Sequence, residues 1–130
     1  MRIAIVTPAG AVRRNGNRTT ALRWAKRLRE LGASARVLHE WRGEPAEVLI
    51  ALHASRSADS AERWLAERRG APLVIGLSGT DIYGELAHDS RALSALSAAS
   101  AIVALQPMAC ERLPAALRPK CVAIQQSAPD

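Results

Sequence analysis

Short apolar runs recur along this 130-residue chain and limit its fold more than any other feature. They are Ile3 to Thr7, Ala35 to His39, Val48 to Leu52, Pro72 to Leu77, Ala101 to Leu105 and Cys121 to Ile124. Ile3-Ala4-Ile5-Val6 is apolar throughout rather than alternating, as a parallel strand covered on both faces must be. Amphipathic segments separate the runs. Arg18 to Leu31 carries Ala21, Ala25, Leu28 and Leu31 at helical spacing, with Leu22 and Trp24 flanking that stripe, and Gly32 stands where a helix ends. Ser57 reads as the N-cap of a helix reaching Arg69, with Ala58, Ala61, Trp64 and Leu65 inward and Gly70 beyond its end. Asp89 reads as the cap of a third helix through Ala99, and Pro107 opens a short one ending near Leu113. Strand and helix alternate throughout. That order predicts one α/β domain: a doubly wound parallel sheet of about six strands, with right-handed crossovers and helices on both faces, a three-layer sandwich.

The core has to be aliphatic, because the chain holds no Phe, one Tyr and three Trp. Trp24 and Trp64 fall at helical core positions and read as packing. Cys110 and Cys121 are too few and too far apart for a zinc motif or a disulfide framework. They read as ordinary small apolar residues suited to a reducing compartment. No apolar run is long enough to span a bilayer or to serve as a signal peptide. A cytoplasmic protein without a membrane partner is therefore expected.

The net charge of +6 is unevenly placed. Residues 1–42 hold ten Lys and Arg against two acids, hence +8, whereas residues 43–130 hold eight against ten, hence −2. The basic excess belongs to the segment Pro8 to Thr20, PAGAVRRNGNRTT, and to the helix that follows it. Without aromatic interleaving or a recognisable reader motif, this charge does not indicate a nucleic-acid partner.

Ligands of an open parallel sheet bind beyond the carboxyl ends of its strands, where the strand order reverses. The residues to inspect are thus Pro8 to Asn17, His53 to Ser57, Ser78 to Tyr83, Gln106 and Gln125 to Ser127. The first of these segments lacks Gly-Lys-Ser/Thr, so it is no P-loop, and Gly10 and Gly16 are six apart, so it is no dinucleotide fingerprint. What remains is a glycine-containing turn at a helix start, with Arg13, Arg14 and Arg18 beside Gly16 and Asn17. Unpaired amides and the positive end of the helix dipole suit such a turn to a phosphate-like anion or a carboxylate. A solvated basic loop is the alternative. A magnesium-dependent phosphoacceptor domain needs acids after the first strand, where Thr7 and Pro8 stand instead. No metal and no cofactor are expected. His53 has the chemistry of a general base or an oxyanion donor, and equally of a structural hydrogen-bonder at a strand end. Asp81, in SGTD at the mouth of the fourth strand, has the chemistry to bind sugar hydroxyls or to orient a basic group, and equally to cap the turn that follows Gly79.

The blocks MRIAIVTPAG, NGNRTTALRWAKRLRELG, EVLIALHASRSADS, PLVIGLSGTDIY, AIVALQP and IQQSA together carry a resemblance. They are similar to the amino-terminal half of GT-B glycosyltransferases and, more narrowly, to the selenosugar synthases of selenoneine biosynthesis. The resemblance implies a Rossmann-like acceptor-side domain over residues 1–130, facing a carboxyl-terminal domain that binds the donor and is not included in this chain. It implies transfer of a sugar from a UDP-sugar, of the UDP-N-acetylglucosamine type, to selenophosphate without a bound catalytic metal. Protein cations and helix dipoles would stabilise the departing diphosphate. Arg13, Arg14, Gly16, Asn17, Arg18 and Thr80 would then hold the anionic acceptor, and His53 and Asp81 would carry the catalytic roles. The domain alone would be inactive, and its exposed interdomain face would let it pair with a second copy. The rival expectation is a non-catalytic anion-binding or interaction module of the same fold.

Overall fold

The computed structural model describes residues 1–7, 16–54, 57–77, 90–104, 110–111 and 113–123, with backbone alone for 16–19. Its strands are β1 (Arg2–Val6), β2 (Ser34–Leu38), β3 (Val48–Leu52), β4 (Leu73–Leu77), β5 (Ala101–Ala104) and β6 (Cys121–Ala123). The helices are α1 (Gly16–Glu30), α2 (Ala58–Glu67) and α3 (Ser90–Ala98). All six strands pair in parallel in the order β2-β1-β3-β4-β5-β6. This is a Rossmann-like doubly wound α/β sheet, as the alternation of apolar runs predicts.

Alternation along each strand sorts the core into two layers. Ile3, Ile5, Ala35 and Leu52 face α1 through Ala21 and Ala25, with Trp24 and Leu28 partly buried beside them. Ala4, Val6, Leu49, Ala51, Leu73, Ile75, Leu77 and Ile102 face the other way, toward Ala61 and Trp64 of α2 and Ala92, Ala95 and Leu96 of α3. Strands that supply both layers have no polar face to give up to water, which is why their sequence is apolar throughout.

The β2–β3 connection has no helix, and tryptophan fills the space one would occupy. Trp41 is buried against Trp64, their ring centroids 5.0 Å apart and edge to face at 74°. Its indole N–H donates to the Glu44 carbonyl at 2.8 Å, and its backbone N–H donates to Ser60 Oγ at 3.0 Å. The buried hydroxyl of Ser60 thus anchors the connection to α2, a role hidden in the expected stripe of Ala58, Ala61, Trp64 and Leu65. Of that stripe the first three are buried and Leu65 is half-buried.

Gly32 ends α1 as predicted. At φ +96 it lets the Ala33 N–H reach Leu28 O and its own N–H reach Arg29 O, a Schellman-type close. The same turn corrects the expected inward place of Leu31, which is 81% exposed because the helix has already stopped at Glu30. The cysteines also differ from expectation. Cys110 and Cys121 form a disulfide, with Cα atoms 5.7 Å apart, within the range a disulfide requires. Cys121 opens β6 and pairs with Ile102 of β5, so the β5–β6 connection brings Cys110 back beside it. Eleven residues of separation do not reveal that return. Among the described residues, no helix is long and apolar enough to cross a membrane.

Candidate functional site

β1 passes to β2 on one side and the chain then returns across β1 to β3, so the strand order reverses between β1 and β3. The carboxyl ends of these two strands border the crevice where an open parallel sheet holds its ligand. The residues just past those ends are Thr7 and His53.

Thr7 continues the β1 ladder by one bond, its N–H donating to Leu38 O at 2.9 Å. Its side chain is 1% exposed, and Oγ1 has no hydrogen-bond partner among the described residues. His53 is 2% exposed and takes φ +69, the one left-handed non-glycine backbone among the described residues. For a side chain with a Cβ that conformation is unfavourable by about 1 kcal/mol or more, and surrounding bonds must hold it. They do so here. The His53 N–H donates to Gly76 O of β4 and its carbonyl accepts from the Ser57 N–H, both at 2.9 Å. Ser57 Oγ donates back to Leu52 O at 2.5 Å.

Ser57 stands where the N-cap of α2 is expected, but these bonds give its hydroxyl another task. The hydroxyl makes no capping bond. It is spent on closing the β3–α2 turn, because a chain bent sharply at His53 leaves the Leu52 carbonyl in need of a donor.

Gly76 completes the floor. A Cβ at this position would lie 2.6 Å from Leu52 Cδ2 and 3.6 Å from the Trp24 ring. The missing side chain lets Leu52 and Trp24 close over β4 directly beneath the His53 turn. Trp24 and Trp64 are therefore packing residues, as their helical spacing indicates.

The backbone of Gly16, Asn17 and Arg18 forms the first turn of α1, which contains no acidic residue. Its leading amides have no intrahelical acceptors and no carboxylate from that turn to neutralise the dipole. Of the other candidate residues, Arg13, Arg14, Thr80 and Asp81 lie outside the described residues. The structure thus places His53 and the start of α1 at the carboxyl edge and adds Thr7, which sequence reasoning had assigned only to the end of a strand. The available signal was a hydroxyl closing an otherwise aliphatic run.

The resolved electrostatic perturbations lie elsewhere. Glu44 is held below its ordinary value chiefly by the Arg42 backbone N–H, which donates to Oε1 at 2.6 Å. At Glu47, beside the amino end of β1, desolvation pushes upward, but hydrogen bonds from the Arg2 backbone and guanidinium outweigh it and lower the carboxyl. Arg91 of α3 is pushed up by Glu62 first and Asp59 second, both on α2, and so ties the two helices together. Among the described residues no group of three or more His, Cys, Asp or Glu side chains is arranged to hold a metal ion.

The fold defines the chain as a Rossmann-like doubly wound α/β domain whose strand order reverses between β1 and β3. No protein-family model matches the chain, and no curated protein matches it.

Proposed function

We propose that the chain is the acceptor-side half of a metal-independent GT-B glycosyltransferase. It would transfer a sugar from a UDP-sugar to a small anionic acceptor of the selenophosphate type. The observation that carries this reading is the convergence, at the switch point of an all-parallel sheet, of a helix start with no acidic residue in its first turn and a buried hydroxyl without a hydrogen-bond partner among the described residues. An anion at that edge meets donors and no carboxylate from the first turn of α1. In this reading the amides of Gly16 and Asn17 hold the acceptor, Arg13, Arg14 and Arg18 supply charge, and His53, Thr80 and Asp81 line the acceptor side. The donor nucleotide belongs to a second Rossmann unit across the cleft.

The test is full-length enzyme incubated with several UDP-sugars and with selenophosphate or thiophosphate, followed by mass analysis of the product. A sugar joined through selenium or sulfur is the expected result. A product joined through oxygen would refute the selenosugar assignment and leave the fold intact. Anion binding with no transfer to any acceptor would leave a non-catalytic binding module instead. Charge removal in Arg13→Ala, Arg14→Ala should weaken acceptor binding by about 2–5 kcal/mol if the pair contacts the anion, and by almost nothing if it is solvated.

A further inference from the structure

We infer that the Thr7 hydroxyl and the first-turn amides of α1 form one subsite for a phosphate-class oxyanion, with Thr7 donating from the strand side. Thr7 is 1% exposed and its Oγ1 is without a hydrogen-bond partner among the described residues. Burying a hydroxyl unmatched lowers stability, and valine would fill the same space without that penalty. A hydroxyl kept there calls for an acceptor.

The place of the side chain says where that acceptor sits. Ile3 and Ile5 face α1, whereas Ala4 and Val6 face α2 and α3. Thr7 prolongs the same ladder, with its N–H on Leu38 O, so its side chain falls on the α1 face. α1 starts beyond the carboxyl end of β1 and returns to the amino edge, where the Ser34 N–H donates to Met1 O. The first turn of α1 therefore lies past Thr7 on the face that Thr7 occupies. Amides and hydroxyl all offer protons, and the helix start repels cations, so the ligand is an anion rich in acceptor oxygens. The Thr7 N–H is already used, which leaves the hydroxyl as its only free donor.

This inference deepens the acceptor-site reading above, but its test needs no sugar transfer. Inorganic phosphate is titrated into the full chain, followed by calorimetry and by amide chemical shifts. Saturable binding is expected, with shifts at Thr7 and residues 16–18. Thr7→Val should bind phosphate at least about tenfold more weakly while its urea midpoint does not fall, because no intramolecular bond is lost. Thr7→Ser, which keeps the hydroxyl, should bind within about threefold of the parent. Unchanged binding by Thr7→Val overturns the inference, as does a parent protein whose shifts fall away from Thr7 and α1. A fall in the Thr7→Val midpoint with binding retained would mark a structural hydroxyl and overturn it too. Phosphate binding without sugar transfer leaves the subsite standing and removes the glycosyltransferase reading. Sugar transfer unaffected by Thr7→Val does the reverse.

Discussion

Gly76 offers the sharpest test of how the floor of the crevice is built. In Gly76→Ala the new methyl would stand 2.6 Å from Leu52 Cδ2, where carbon atoms prefer about 3.5–4.0 Å. Leu52 is 1% exposed and packed among Ile5, Ala21 and Ala25, so its end has little room to retreat. Overpacking of this kind costs about 1–3 kcal/mol. Alanine in a strand regains about 0.5–1 kcal/mol over glycine, leaving a net loss of up to about 2.5 kcal/mol. In a Leu52→Ala background the obstructing methyl is gone. The same Gly76→Ala change should then stabilise the protein by about 0.5–1 kcal/mol, so the sign of its effect reverses. Urea denaturation with constant slope, run as a double-mutant cycle over the four proteins, measures both numbers. An equal cost in the two backgrounds, or no cost in either, would refute the packing argument.

Four other outcomes follow from the structure. Cys110→Ser or Cys121→Ser should lower unfolding free energy by about 3 kcal/mol, the loop-closure term for a chain separation of 11 residues, and reducing agent should lower the parent to the same level. His53→Asn, which tolerates the left-handed backbone better, should keep the fold in circular dichroism, whereas His53→Val should lower the melting temperature because a β-branched residue is poorly accommodated at φ +69. Arg91→Ala should weaken the α2–α3 pairing in low salt and have little effect in high salt, as read by the ionic-strength dependence of the urea midpoint, because the triad with Asp59 and Glu62 is exposed. Acid should remove the small contribution of Glu44 and Glu47. Both carboxyls are lowered from 4.5 on folding, so their stabilisation is complete above that value and is lost as pH falls below it, and Glu44→Gln with Glu47→Gln should flatten the profile there.

The two sulfurs also bear on where the protein works. Once bonded, Cys110 and Cys121 no longer argue for a reducing compartment, since disulfides persist in oxidising ones.

The strands, their parallel sense and the two helix layers were legible in the sequence because each follows from local chemistry. A run such as Val48 to Leu52 has no polar face, and glycine at position 32 has a turn that only its backbone makes easily. His53 was legible as a site candidate by the same logic, as a polar residue just beyond an apolar strand. Other features depend on residues that meet only in three dimensions. Ser57 carries the sequence of a cap, yet the turn forced by the His53 backbone draws its hydroxyl to Leu52 O. Gly76 looks like a weak point in β4 until Leu52 and Trp24 are seen to fill its place. Cys110 and Cys121 are remote in sequence and adjacent across one crossover. Thr7 reads as the last residue of a strand, and only the pairing of β1 with β2 and the layer assigned to α1 turn its hydroxyl into a candidate ligand donor. Periodicity encodes which face of an element is buried, so sequence determined the architecture. Which buried atoms are left without partners depends on register and crossover, and tertiary structure alone decided that.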